Sequence, residues 1–266
     1  MLKRSNSDIR KLDDAAKAGW LYYVAGYTQE EIAKKLNVSR QSAQRMVALS
    51  VSEGLIKVRL EHPIAKCMDL QVKLKESFGL RSCIVVPSAD GEPSSTLGLA
   101  QAGAKEIELH LKSPQPKVIA LGTGRVLRAC VEELTLLNCE HHQIVNNLKL
   151  AAQADVTFVG VGNLAVNSPL HIDGFVTPKE LEELQTKGAV GEIISWVLDV
   201  NGNLIDCAVN ERVASTPLKV NPEKAVYAIA AGEEKVLAIL GALRSKLING
   251  LITNEYTAER LLEQLK

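Results

Sequence analysis

The chain has 266 residues, enough for one large domain or two modest ones at roughly 100 to 200 residues each. Its 46% hydrophobic and 23% charged residues exclude the composition of a disordered chain, and no apolar run approaches the ~18 residues needed to span a bilayer. The zero net charge hides a split, because residues 1–61 hold 11 Lys and Arg against 7 Asp and Glu while residues 62–266 hold 20 against 24. That asymmetry favours a basic binding module joined to a mildly acidic body. The opening MLKRSNSDIRKLDD has no apolar stretch behind its basic residues, so a cytoplasmic location without a membrane partner is expected.

Residues 13–25 predict a first helix with Ala16, Trp20, Leu21 and Val24 at helical spacing, and Gly26 offers a stop. Thr28 and Glu31 then form a capping box, followed by an apolar stripe of Ile32, Ala33 and Leu36. Asn37 and Val38 make a short turn, and Ser39 is a good N-cap for a third helix over residues 40–53. After Gly54, Ile56, Val58 and Leu60 alternate with Lys57 and Arg59 as in a short β wing. This order predicts a winged helix-turn-helix, whose third helix fits the major groove, about 12 Å wide. Val38, Ala43, Met46 and Val47 fall on the inward side, which turns Arg40, Gln41, Gln44 and Arg45 outward with Ser42 at the margin. Arg suits guanine and Gln suits adenine, while Lys57 and Arg59 on the wing suit phosphates. Thr28 and Ser39, at the two helix starts, complete the candidate DNA contacts. Most polar helix faces are merely solvated, and a three-helix protein-binding module is the alternative. The two caps, the short turn, the wing and the local positive charge together favour double-stranded DNA.

Residues 65–78 predict a linking amphipathic helix with Met68, Val72 and Leu74 apolar among lysines. From Arg81 onward strands alternate with helices. Strands are expected at 82–86, 117–121, 143–145, 155–159 and 226–230, and helices at 94–111, 125–134, 233–249 and 257–265. Apolar runs such as VIAL and VTFV suit strands covered on both faces, hence a doubly wound parallel sheet. The expected division is a DNA-binding domain over 1–61, a linker helix over 62–80 and an α/β effector domain over 81–266.

Two expected strands run into glycine turns, Gly122-Thr123-Gly124-Arg125 and Gly160-Val161-Gly162-Asn163. Glycine lets backbone amides approach an oxyanion, and a following helix start adds a positive dipole end. Since open α/β sheets bind ligands beyond the carboxyl ends of their strands, these turns could frame one crevice; tight connections without a ligand are the alternative. The sixth position of the first turn is Leu127 rather than Gly or Ala, so it is not a dinucleotide fingerprint. Asp173-Gly174-Phe175 and residues 188–192 are further turn-like motifs, from which Asp173 and Glu192 could accept sugar hydroxyls. Five scattered cysteines (Cys67, Cys83, Cys130, Cys139, Cys207) without C-x-x-C spacing point to buried thiols rather than disulfides or zinc. The adjacent His141 and His142 suit a surface pair, and no metal or cofactor is expected.

Taken together, YTQEEIAKKLNVSRQSAQRMV, ALGTGRVLRACVEEL, ADVTFVGVG, HIDGF, GAVGEI and EEKVLAILGALRSKLINGLIT resemble the SorC family of bacterial transcriptional regulators, the sugar-binding DeoR-like group. The resemblance covers nearly the whole chain. It implies a DNA-binding head and an effector domain similar in fold to sugar-phosphate isomerases and deaminases. It implies that Gly122, Thr123, Gly124 and Arg125 hold a phosphate or sugar oxygen, with Asp173 and Glu192 near the sugar and Lys235 near the pocket. The function so implied is control of a carbohydrate operon through operator DNA by a homo-oligomer (a dimer or tetramer) that binds a sugar, polyol or sugar phosphate. A sugar-phosphate isomerase or deaminase is the alternative, with Asp173, Glu192 and His171 as its candidate acids and bases. One departure stands out: where the family carries a segment of several tens of residues, Asn146-Asn147-Leu148-Lys149 bridges the gap.

Overall fold

The computed structural model describes residues 6–57, 62–88, 98–115, 117–135, 153–216 and 219–265. The wing residues 58–60 with Arg59, the strand expected at 143–145, the His141-His142 pair, Cys139 and the start of the helix expected from residue 94 lie outside them. The chain divides into two compact units, residues 1–61 and 62–266.

The first unit packs three helices, α1 (Asn6–Tyr23), α2 (Gln29–Leu36) and α3 (Arg40–Ser52), around Ala18, Ile32, Ala33, Ala43 and Val47. The Thr28 hydroxyl accepts from the Glu31 amide while the Glu31 carboxylate accepts from the Thr28 amide, closing the capping box. Asn37 turns the chain in the left-handed region at φ 52°, which its short polar side chain tolerates, and Ser39 caps α3 by accepting from the Ser42 amide. The face of α1 differs from the spacing-based expectation. Its inward residues are Ala15, Ala18 and Gly19, whereas Trp20 is 55% and Val24 66% exposed. Close approach is the reason: a Cβ on Gly19 would lie 2.3 Å from Ser50 Oγ, so only the smallest side chains fit between α1 and α3.

The second unit is built on a five-stranded sheet in the order β1-β8-β7-β3-β2, with every pairing parallel. Its strands are β1 (Ser82–Val86), β2 (Ile119–Leu121), β3 (Val156–Val159), β7 (Ala225–Ile229) and β8 (Gly250–Asn254). Helices cover both faces, as parallel sheets require. On one face α5 (Leu99–Leu111) and α6 (Arg125–Glu132) bury Leu99, Ile107, Leu127 and Cys130 against Phe158, Tyr227 and Ile252. On the other lie α4 (Pro63–Phe78), α10 (Val236–Arg244) and α11 (Glu255–Glu263). The helix expected as a linker thus contributes Cys67, Leu70, Leu74 and Phe78 to this core. Met68 and Val72, expected on its apolar side, are exposed instead. At the free edge of β1, the Gln71 side chain accepts the Val85 amide proton at 2.9 Å.

Between β3 and β7 the chain builds a second, three-stranded antiparallel sheet from β4 (Gly162–Asn163), β5 (Ala189–Ile193) and β6 (Trp196–Asp199). Helices α7 (Pro169–Ile172), α8 (Pro178–Thr186) and α9 (Ala208–Glu211) accompany it. The motif at 188–192, expected as a turn, is therefore largely strand β5. The helix expected over 233–249 is also corrected: a 3-10 turn at Glu233–Lys235 leads into α10, which ends at Arg244, and β8 follows. Leu247, Ile248, Leu251 and Ile252 mimic helical spacing, yet Lys246 at φ 60° breaks the helix. Asn249 then pins the chain, accepting the Val226 amide proton and donating to the Lys224 carbonyl.

Cys67, Cys83 and Cys130 are buried and Cys207 half-buried; burial pushes the Cys83 thiol up to about 12 and Cys130 up to about 11.

Two outcomes follow from this packing. In an ordinary helix interior Gly→Ala stabilises, but Gly19→Ala is expected to destabilise the first unit by about 1–3 kcal/mol through overpacking against Ser50, measured by chemical denaturation. His110 is held below its ordinary value of 6.5, first by burial and then by the charge of Lys117. The native state thus binds this proton less readily than the unfolded chain. Its contribution to stability is present above pH 6.5 and is lost as pH falls from there through the native value. In urea titrations, His110→Gln is expected to lose less stability than the parent chain over that fall.

Candidate functional site

The outward face of α3 consists of Arg40, Gln41, Gln44 and Arg45, all exposed, while Ala43 and Val47 are buried and Ser42 is half-buried. This is one contiguous polar face of two cations and two amides. Lys57 is exposed shortly after α3. The Thr28 hydroxyl donates to Glu31 Oε2 at 2.8 Å, and Ser39 Oγ lies 2.9 Å from Ser42 Oγ. Both caps are therefore engaged within their own helix starts, and their exposure leaves an oxygen facing solvent. The Thr28 hydrogen bonds, backbone first, hold the Glu31 carboxyl below its usual range, which fixes a negative charge where the α2 dipole favours it.

In the second unit, parallel pairing brings the carboxyl ends of β2, β3 and β7 to one edge, where each strand runs into a glycine turn. Gly122 extends the β2 pairing by donating to the Phe158 carbonyl at 2.8 Å. Gly124 sits at φ 136°, a conformation reserved for glycine, and starts α6 without a side-chain cap; exposed Arg125 follows. Gly160 lies against this turn, since a Cβ there would be 3.4 Å from the Thr123 carbonyl. After β7, Gly232 turns at φ 123° and donates to Thr257 Oγ1 at 2.9 Å, leading to Glu234 and Lys235.

Glu192 and Lys235 supply opposite charges to this edge. A Cβ on Gly162 would lie 2.1 Å from Glu192 Oε1, so the bare glycine is what gives the carboxylate its place. Enclosure pushes the Glu192 pKa up, against the lowering effects of the Ser195 amide and Lys235. Burial and then the Arg125 guanidinium push Lys235 down, while Glu192 and Glu234 draw it up. Gly122 and Thr123 thus adjoin β3 and Gly160, Glu192 lies on Gly162, and Lys235 feels the charges of both Arg125 and Glu192, so these residues are neighbours at one edge of the sheet. The pair of cations and the helix start suit an anionic oxygen, and the carboxylate suits hydroxyl donors.

Asp173 does not join them through any contact among the described residues. It is exposed at the end of α7, in a turn closed by Gly174 at φ 77°. His171 Nδ1 is tied to the Val176 carbonyl at 2.9 Å. His171 and Asp173 thus stand at the same short helix and Glu192 on β5, with no contact among the described residues that joins the three. An open hollow of about 470 Å³ lies nearby, lined by Asn163, Leu164, Val190, Glu233, Glu234 and Leu237 among others, but not by Gly122, Thr123, Gly124, Gly160, Gly162, Glu192 or Lys235.

One element here escaped the sequence. Ile194 and Ser195, at φ 45° and 75°, form the two-residue connection of β5 to β6. Such turns favour Asn-Gly, and a β-branched residue in this region is strained. The Ser195 amide donates to Glu192 Oε2 and Ser215 donates to the Ile194 carbonyl at 2.6 Å, which holds the turn. Ile194 thereby packs over Gly122, with Cγ2 3.3 Å from where a Cβ would stand.

The family described as "Putative sugar-binding domain" matches residues 62–148 and 141–263. The two stretches meet where the short Asn146-Asn147-Leu148-Lys149 bridge stands. The chain is 26% identical to the erythritol catabolism regulatory protein EryD of Brucella abortus, over 94% of this chain and 96% of that protein. It is 26% identical to the sorbitol operon regulator of Klebsiella pneumoniae, over 97% and 99%. The first alignment runs to 304 residues against 266 in this chain, so several tens of its positions have no counterpart here. The crystal structure of full-length SorC from Klebsiella pneumoniae shares the fold at a TM-score of 0.61 with 23% identity, covering 97% of this chain and all of that one. Three-helix unit, wrapped parallel sheet and family match thus coincide along one polypeptide, and the chain belongs to the SorC family of sugar-binding transcriptional regulators.

Proposed function

We propose that this regulator reads operator DNA with α3 and is controlled by a sugar, polyol or sugar phosphate bound in the crevice at the ends of β2, β3 and β7. The observation that carries the reading is the pairing of an outward Arg40-Gln41-Gln44-Arg45 face in one compact unit with the glycine-framed Arg125, Glu192 and Lys235 cluster in the other. Arg40, Gln41, Gln44 and Arg45 read base edges; Ser42, Thr28, Ser39, Lys57 and Arg59 contact the backbone. In the crevice, the amides of Gly122, Thr123 and Gly124 with Arg125 and Lys235 take the anionic or most electron-rich oxygen, and Glu192 accepts sugar hydroxyls. Gly160 and Gly162 supply the space, and Asp173 approaches from its turn. Control requires that the ligand bind two arrangements of a homo-oligomer unequally. The protein acts in the cytoplasm, where its DNA lies.

The names of the relatives support a regulator over the isomerase or deaminase alternative, since they are an erythritol catabolism regulator and a sorbitol operon regulator. Sugar alcohols and their phosphates are therefore the first compounds to test.

Two measurements check the reading. In fluorescence anisotropy, Arg40→Ala is expected to relax discrimination at one base pair by about 1–3 kcal/mol, whereas Lys57→Ala weakens all sequences alike and lowers the salt slope by about one. Equal losses on operator and random DNA for Arg40→Ala would remove its base-reading role. In a thermal-shift screen of sugars, alditols and their phosphates, a true effector raises the midpoint with concentration, and Gly162→Ala, which displaces Glu192, abolishes that rise. A screen in which none of these compounds shifts the midpoint overturns the effector assignment.

A further inference from the structure

We propose that Ala48 is a specificity-determining residue of this regulator, whose side chain meets the 5-methyl group of a thymine in the operator half-site, within two base pairs of the adenine read by Gln44. The inference rests on α3 as the DNA-reading helix and goes beyond it by naming a base that no hydrogen bond selects. Over residues 40–48, α3 exposes Arg40, Gln41, Gln44, Arg45 and Ala48. Four of these are long and polar, whereas Ala48 ends at its Cβ. At about 100° per residue, Ala48 stands about 20° around the helix axis from Gln41 and about 40° from Gln44. It therefore lies in the middle of the outward face, nearly opposite the buried Ala43 and Ser50.

The roll of α3 that places Ala48 there is fixed from behind. The Ser50 hydroxyl donates to the Val47 carbonyl at 2.7 Å, and α1 seats against it so closely that a Cβ on Gly19 would lie 2.3 Å from Ser50 Oγ. The major groove displays donors and acceptors on every base pair and a single apolar group, the thymine methyl. The outward face of α3 has the same composition, with amides and guanidinium groups for the polar edges and one methyl for the methyl. A longer side chain at position 48 would hold the helix away from the bases, while a bare Cβ lets the two methyl groups touch and leave water together. Positions 44 and 48 are about 6 Å apart along the helix. Successive bases of a strand rise by about 3.4 Å, which sets the limit of two base pairs. A helix surface favours alanine on propensity alone, and a comparison of two DNAs on one protein separates that role from recognition.

In the test, a half-site is selected from random duplexes with the full parent chain, and each of its thymines is replaced in turn by deoxyuridine, which removes only the methyl group. In fluorescence anisotropy the parent chain is expected to lose about four-fold in affinity at one thymine per half-site, the worth of one methyl-sized group withdrawn from water. That thymine lies within two base pairs of the position at which Gln44→Ala relaxes discrimination. For Ala48→Gly the ratio of thymine to uracil affinity is expected to fall to about one there. Because the ratio compares two DNAs on the same protein, any loss of helix stability caused by glycine cancels from it. A parent chain that selects a half-site but tolerates uracil at every thymine overturns the proposal and leaves the base-reading role of α3 standing. A loss at uracil that persists in Ala48→Gly also overturns it, since another side chain then meets the methyl. A parent chain that selects no sequence overturns the reading of α3 itself, and this inference with it.

Discussion

Parallel hydrogen bonding among β2, β3 and β7 is the constraint from which the proposed effector site follows. Three adjacent strands that run the same way must end at the same edge, and each then needs a turn into its next element. Glycine at those turns opens the backbone, and the uncapped start of α6 points its amides outward. The side chains that complete the crevice arrive from other elements, Glu192 from the antiparallel sheet and Lys235 from the turn before α10. Neither charge is comfortable there, as burial raises the pKa of Glu192 and lowers that of Lys235. Two half-desolvated charges of opposite sign offset part of each other's cost, and a ligand that satisfies both has more to gain than on an open surface.

The three-helix unit obeys a different logic. Its caps use the Thr28 and Ser39 hydroxyls and the Glu31 carboxylate to satisfy helix-start amides, so the ends of α2 and α3 are settled without borrowing from the outward face. The small residues of α1 let α3 seat closely, which fixes the direction of that face. Arg40, Gln41, Gln44 and Arg45 are thereby left exposed on the outward face, as the proposed reading of DNA requires.

Local signals were legible wherever chemistry and geometry coincide within a few residues. The Thr28 capping box, the Ser39 cap, β1 at 82–86 and the glycine turns after β2 and β3 were all written in neighbouring positions. The face of α1 was not, because Trp20 and Val24 carry helical spacing and hydrophobicity while the deciding factor, the distance to Ser50, is tertiary. Strand β8 was hidden for a related reason: Leu247 and Ile248 stand at helical spacing from Leu251 and Ile252, and only Asn249 bonding to Lys224 and Val226 shows why the chain stops and restarts. The pairing of Gly162 with Glu192 spans thirty positions and depends on antiparallel register, in which the two stand directly opposite. The Ile194-Ser195 turn carries no turn-forming residues, so no sequence rule marks it.

The Gln71 contact at the border of the large sheet has a consequence for how the protein survives at high concentration. An outermost strand with free amides is a template onto which any extended segment can add, the first step of fibril growth. By answering the Val85 amide with a side chain from a helix, the molecule closes one rung of that template from within. The helix that covers one face of the sheet thus also withholds one edge donor from an incoming strand.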